Sequence, residues 1–260
     1  MLSFRCLGPF LVGSENQPVS VKPCRRSRLL VALLSHVNTV LTMDQVVEEL
    51  WEQDPPAGAA QTVHAHIARI RKDLAAWLPE ERVRIDWSHP GYVLRAPAER
   101  VDLCAFSTFA AGCAEAWPTD PARAAECGRQ ALALWRGAPF SGHDLGPTGR
   151  IARVRLEETR LATLETVMDA RLELGLHRQQ VGELKELVAA NPYRERFHEQ
   201  LIIALYRSQR QGEALEVYHS ARLFLSEELG VEPSPQLRRT AAQVLRHDPA
   251  LRHHSDALLA

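Results

Sequence analysis

Between residues 61 and 72 the chain places Gln61, Thr62, His64, Ala65, Arg69, Arg71 and Lys72, a set suited to recognition, not to bond breaking. An amide, an imidazole, guanidinium groups and an ammonium can donate to base edges and phosphate oxygens, and an alanine methyl can meet a thymine methyl. Their spacing gives them a common platform. Val63, Ile67, Ile70 and Leu74 recur at intervals of four, three and four, the buried stripe of an amphipathic helix. Gln61, Ala65, Ala68, Arg69 and Lys72 then fall on the opposite side, with His64 on one flank and Thr62 on the other. A helix-turn-helix inserts such a face into the DNA major groove. The bland alternative is an ordinary amphipathic helix with a solvated face, and the neighbouring sequence decides between the two.

Signatures of catalysis are missing. No Gly-rich phosphate loop, HExxH or GxSxG is found, and Cys113, His143 and Asp144 carry no accompanying motif, so no enzymatic activity is expected. His64 and His66 are two residues apart on a helix and point to different sides, which argues against a shared metal. His253-His254 reads as tail. The five cysteines, odd in number and without a CxxC pair, read as reduced thiols. No cofactor or metal is expected.

A helix of this kind needs elements to hold it. Thr42 and Gln45 form a capping box for a preceding helix, Leu41 can staple onto Val46, and Val46, Val47, Leu50 and Trp51 give that helix an apolar face. Asp54 is expected to cap the recognition helix, with Pro55 at its first position. Upstream, FRCL, FLVG and VSVK within residues 2–22 read as small antiparallel strands, followed by a helix over Arg25–Val37 with Leu29, Leu30, Leu33 and Leu34 inward. After a break at Leu78-Pro79, the alternation Val83, Ile85, Trp87, a turn at Ser88-His89-Pro90-Gly91 and a return through Tyr92–Leu94 predict a hairpin. A hairpin directly after a helix-turn-helix is a wing. Arg84 on its strand and His89 at its tip are candidates for the sugar-phosphate backbone or the minor groove, and Arg26 and Arg28 before the first helix for phosphates. Trp51, Trp87 and Trp135 read as core or packing residues.

Composition sets the limits. With 260 residues and 45% apolar content, the chain can form one large or two ordinary globular domains. Net charge is −1, and residues 1–100 hold 12 Lys plus Arg against 11 Asp plus Glu, which excludes a general polyanion binder. Bases are instead grouped at Arg25, Arg26 and Arg28, at Arg69, Arg71 and Lys72, and at Arg82 and Arg84. No signal peptide or membrane-length apolar run is found, so a cytoplasmic location without membrane contact is expected. Pro97–Val101 reads as a linker, and Asp102 as the cap of a helical run. Within that run Ala170, Leu172, Val181 and Leu184 recur as Ala204, Tyr206, Leu215 and Tyr218, a shift of 34 residues, the period of a tetratricopeptide repeat.

The segments LGPF, RRSRLLVALL, VLTMDQVVEELWEQDPPAGAAQTVHAHIARIRKDL and PGYVL resemble the winged-helix domain of the Streptomyces antibiotic regulatory protein family. ALALWRGAPF, RLEETRLATLE, NPYRERFHEQLIIALYRSQRQGEALEVYHSAR and EELGVEPSPQLR resemble that family's bacterial transcriptional activation domain. The resemblance implies a mainly α protein: a winged helix of the response-regulator effector type with small β-sheets (1–96), a linker (97–101), tetratricopeptide-like helices (102–246) and a tail (247–260). It also implies a transcriptional activator that binds promoter direct repeats as a head-to-tail pair. Its partners would be double-stranded promoter DNA, a second copy on DNA, and RNA polymerase through the sigma factor and alpha subunit. It would control antibiotic biosynthesis genes and be associated with the nucleoid. Thr62, Arg69, Arg71, Arg26 and Arg28 match the family pattern, whereas Ala60, Gln61, Ala65 and Ala68 stand where relatives usually have other polar residues; Gln61, His64 and Lys72 are then the foremost base-edge candidates. Two other readings stay open. Near-zero charge and the three alanines fit a protein-interaction adaptor whose winged helix no longer binds DNA, and the helical array could hold a small-molecule effector.

Overall fold

The computed structural model describes residues 3–14, 17–79 and 82–251. Two compact units partition the chain, one from residues 1–111 and 130–161, the other from residues 112–129 and 162–260.

The first unit opens with an antiparallel sheet of β1 (Phe4–Arg5), β2 (Leu11–Ser14) and β3 (Gln17–Ser20), with Phe4 opposite Val12 and Leu11 opposite Ser20. Helix α1 (Arg25–Ser35) buries Leu29, Leu30, Leu33 and Leu34 as its spacing requires. Next come β4 (Leu41–Thr42) and α2 (Met43–Trp51), whose first turn carries the expected box: Gln45 N–H donates to Thr42 Oγ1 (3.3 Å) and Thr42 N–H to Gln45 Oε1 (2.9 Å). Leu41 and Val46 are both fully buried beside it.

Helix α3 (Ala59–Trp77) starts later than the sequence suggests. Asp54 does not cap it; Gly58, at φ +84°, holds the N-cap position. The reason lies in the Pro55-Pro56 pair, because a residue before proline is pushed out of the helical region, so Pro55 cannot open a helix. The buried stripe is as expected, with Val63 and Ile67 fully buried and Ile70 and Leu74 nearly so. Each such side chain contributes roughly 1.5–3 kcal/mol.

The hairpin follows as β5 (Arg84–Ser88) and β6 (Gly91–Arg95), joined to β4 in the order β4-β6-β5. Gly91 lies opposite Thr42, and a Cβ there would come 2.0 Å from the Leu41 carbonyl oxygen, so only glycine lets β4 join the wing.

The segment read as a linker is firmly held. A 3-10 turn (Ala98–Arg100) leads to Val101, which is fully buried and bridges Phe4, while Ser3 N–H donates to Arg100 O (2.8 Å). Asp102 opens α4 (Asp102–Ala116), and its carboxylate also accepts from the N–H groups of Cys6 (2.6 Å) and Leu7 (2.9 Å). Residues 136–148 belong to this unit as well: Arg136 N–H donates to Leu7 O and Phe140 N–H to Cys6 O, and Phe140 meets Phe10 edge-on at 5.9 Å. Glu49 of α2, with no exposed surface, accepts from the N–H groups of Gly146 (3.0 Å) and Thr148 (2.8 Å), at the start of α6 (Pro147–Glu173). Trp135 is half-buried, edge-on to Phe106 and under the Arg160 guanidinium, in keeping with a packing role.

The second unit holds most of α5 (Pro121–Ala133), the rest of α6, and α7 (His177–Ala190), α8 (Glu195–Arg207), α9 (Gln211–Leu229) and α10 (Pro235–Leu245). The 34-residue repeat recurs in the turns. Gly175 and Gln209, 34 positions apart, both take left-handed φ (76° and 64°). The bonds Gly175 N–H to Leu172 O and Leu176 N–H to Arg171 O reappear as Gln209 to Tyr206 and Arg210 to Leu205. Glutamine carries the left-handed strain that glycine avoids, so Gln209→Gly should raise stability by about 0.5–1 kcal/mol. Chemical denaturation checks this, and a loss of stability would contradict the equivalence of the turns. Between hairpins, Arg196 bonds both Asp169 oxygens (2.7 Å each) and Glu199 (2.5 Å), and Thr240 Oγ1 donates to Glu199 (3.0 Å). Residues 247–251, placed in the tail by sequence, form a turn whose Leu251 is buried and whose carbonyl accepts from Arg207 Nε (2.9 Å). His253-His254 lie outside the described residues.

Candidate nucleic-acid interface

Helix α3 presents four different sides. The first is the apolar stripe against the core. On the α1 side, Asp73 pairs with Arg26 (2.9 Å), and His66 sits near Arg25, Arg26 and Arg69. Burial, then the charges of those three arginines, pushes the His66 imidazole below its ordinary value, so at neutral pH it adds no further positive charge there. On the wing side, Arg71 Nε donates to the Ile85 carbonyl of β5 (2.8 Å), and His64 Nδ1 is hydrogen-bonded to the Tyr92 hydroxyl of β6. The fourth side faces solvent with Gln61, Ala65, Ala68 and Lys72, and Arg69 at its edge, all exposed. Among the described residues the side chains of Gln61, Arg69 and Lys72 make no hydrogen bond or ion pair within the chain. Thr62 is half-buried, and its Oγ1 is directed back to Gly58 O (3.4 Å).

The sequence candidates therefore divide. Gln61, Ala65, Arg69 and Lys72 are brought together on the solvent side of α3, with His64 and Arg71 on its wing side. Arg84 and His89 are exposed on the adjoining wing, where Arg84 (2.8 Å) and Arg95 (3.1 Å) share Asp86 and hold its carboxyl below the usual range. Arg28 is placed elsewhere: its side chain is only 13% exposed and bridges Glu52 (2.7 Å) and Asp144 (3.3 Å). Both terminal nitrogens of Arg28 are engaged by carboxylates, so the phosphate contact suggested for it would have to compete with those two pairs. Arg26 is 39% exposed but bound to Asp73, so it ties α1 to α3. His143 and Asp144 are engaged with α1 at Ser27 and Arg28, and burial pushes the Cys113 thiol up to about 11, far from a reactive thiolate.

Trp87 packs at the surface and not in the core. It is 51% exposed on β5, with its ring 5.1 Å from Tyr92 and 6.2 Å from His64. The cluster was within reach of sequence reasoning. A two-residue turn at His89-Pro90 pairs Ser88 with Gly91 and hence Trp87 with Tyr92 across the hairpin. Among the described residues no helix is long and apolar enough to cross a membrane, and no group of three or more His, Cys, Asp or Glu is placed to hold a metal ion.

Known proteins share this arrangement. Residues 16–94 match the family described as "Transcriptional regulatory protein, C terminal", and residues 101–245 match the "Bacterial transcriptional activator domain". The regulatory protein AfsR of Streptomyces coelicolor is 38% identical over 98% of this chain, which spans 25% of AfsR's length. The regulatory protein DnrI of Streptomyces peucetius is 34% identical over 96% of this chain and 94% of its own length. A solved structure of Mycobacterium tuberculosis EmbR in complex with a low-affinity phosphopeptide superposes with a TM-score of 0.86, at 30% identity, over 95% of this chain and 66% of that one. With the activator-domain match covering more than half of the sequence and DnrI aligned along nearly its whole length, the chain belongs to the Streptomyces antibiotic regulatory protein family of transcriptional regulators.

Proposed function

We propose that this regulator is a sequence-specific DNA-binding activator, with DNA reading in residues 1–96 and activation in residues 102–246. The observation that carries the reading is the solvent side of α3, where Gln61, Arg69 and Lys72 stand without intramolecular partners beside an exposed wing. Laid in a major groove, Gln61, His64 and Lys72 face base edges and the Ala65 methyl a thymine methyl. Arg69, Arg71, Arg84 and His89 flank them for phosphates, with Thr62 at the rim. Arg26 and Arg28 act here as braces of α1. The family resemblance adds head-to-tail pairing on direct repeats, recruitment of RNA polymerase through sigma and alpha, and control of antibiotic biosynthesis genes in the cytoplasm.

Fluorescence anisotropy on promoter fragments from the gene's own neighbourhood, at two salt concentrations, tests the proposal. Tight binding should need both repeats, and binding no better than to random DNA would sink it. Two substitutions separate the roles. Gln61→Ala should lower discrimination between operator and random DNA by about 1–3 kcal/mol, as for loss of a bidentate base contact. Arg69→Ala should weaken binding to every sequence and reduce the log–log salt slope by about 0.9, as for loss of one phosphate contact. A slope identical to wild type would remove Arg69 from the backbone contacts.

A further inference from the structure

The wing and the recognition helix meet at His64, Tyr92 and Trp87, and their geometry dictates which hydrogen-bonding group α3 offers at that point. Tyr92 is 4% exposed, and burial raises its phenol pKa, so the hydroxyl keeps its proton at neutral pH. Among the described residues its only hydrogen-bond partner is His64 Nδ1. A buried O–H that donates to nothing is costly, so the phenol proton is directed to the Nδ1 lone pair. With Nδ1 accepting, the ring proton of His64 sits on Nε2, because one ring nitrogen donates when the other accepts. The ring is also held sideways. Tyr92 lies edge-on at 6.0 Å, Trp87 is tilted at 6.2 Å, and Trp87 in turn meets Tyr92 edge-on at 5.1 Å. His64 itself is exposed.

We infer that Tyr92 is a positioning residue for sequence readout: it fixes His64 as an Nε2–H donor aimed at a purine acceptor, N7 or guanine O6, in the major groove. Trp87 walls the imidazole from the wing side. This rests on the DNA-binding reading and adds to it a chemical preference, an acceptor edge at the base step nearest the wing. A rotating histidine could either donate or accept and would discriminate poorly. A clamped one presents a single polarity, and the wing thereby contributes to specificity without touching a base.

The test uses the full chain and two duplexes, one enriched by the wild-type protein from a randomised pool and the unselected pool itself. Tyr92→Phe keeps the ring and removes only the hydroxyl. It should reduce preference for the enriched duplex about tenfold, the size of one well-made hydrogen bond to a base, and change affinity for the unselected pool by less than about twofold. His64→Ala should show the same loss, and the double variant no more than either single one. Nitrogen-15 spectra of the imidazoles in the free protein provide an arm independent of DNA: His64 should be the Nε2–H tautomer in the wild type and a mixture in Tyr92→Phe. An Nδ1–H tautomer, additive losses, or an unchanged preference in Tyr92→Phe would overturn the assignment while leaving DNA binding intact. A wild-type chain that enriches no sequence at all would overturn the DNA reading, and this inference with it.

Discussion

Glu49→Ala should destabilise the first unit by about 3 kcal/mol, although Glu49 lies on none of the surfaces that face a ligand. Its side chain has no exposed area, and its two oxygens accept from Gly146 N–H and Thr148 N–H. Those groups stand at the N-terminus of α6, where backbone donors have no partner within the helix. Pro147 between them has no N–H to satisfy, and the carboxylate's charge suits the positive helix end. The fit is close: a Cβ on Gly146 would come 2.4 Å from the Glu49 backbone oxygen. Burial raises the Glu49 pKa, against the opposing pull of Thr148, the Gly149 N–H and the Arg28 charge, so the carboxylate itself is held at some cost. The loss on truncation therefore comes mainly from orphaned donors, at about 1–3 kcal/mol each, and from the cavity left behind. Glu49→Gln, which keeps one acceptor oxygen, should lose about half as much. Urea denaturation gives the totals, and hydrogen exchange should localise the change to the amides of Gly146, Thr148 and Phe140. A shift under about 1 kcal/mol would show that α6 is held by its apolar contacts alone.

What the sequence reveals is periodic or local, and what it hides is long-range. The α3 stripe at Val63, Ile67, Ile70 and Leu74, the Thr42–Gln45 box and the hairpin around His89-Pro90 all follow from residues a few positions apart. The start of α3 was missed because a capping Asp54 and an N1 Pro55 outweigh, in a local reading, the restriction that Pro56 places on its predecessor. Trp87 reads as a core or packing residue on the same strand face as Ile85, yet nothing in a strand's period says where the covering helix stops. Arg28 shows the other limit. Its place in an RxR pattern suggests phosphate binding, while its partners Glu52 and Asp144 are 24 and 116 residues away. Glu49 with Gly146 and Asp102 with Cys6 are separated by 97 and 96 residues, beyond any pattern read along one chain. The consequence for the candidate site is specific. The residues proposed to face DNA are legible as a helix side, but the braces that orient that helix, Arg26, Tyr92 and the Ile85 carbonyl, become visible only in three dimensions.

Asp102 carries the second large expected effect, a stability that falls as pH rises from about 4 to about 6. One carboxylate oxygen accepts two backbone N–H groups, while the other is buried without a partner among the described residues. Burial raises the pKa from the ordinary 3.8 to about 6, against the opposing pull of the Leu7 and Cys6 N–H groups and of Arg136, 3.7 Å away. The folded chain thus holds a proton that the unfolded chain has already released, so folding is favoured more on the acid side of that window. A rise of this size corresponds to about 3 kcal/mol of stability present near pH 4 and absent above pH 6. Asp102→Asn cannot titrate. The difference in unfolding free energy between wild type and variant should therefore move toward the variant by about that amount between pH 4 and pH 7. Using the difference cancels the contribution of Glu49, whose raised pKa acts in the same sense. Parallel pH profiles would show that water reaches Asp102 and that its carboxylate is never desolvated. The location gives the result its meaning, because Asp102 ties the first strand's loop to the point where the activator-domain match begins. A slope removed by Asp102→Asn would place a proton-sensitive joint between the two sequence modules, inside one compact unit.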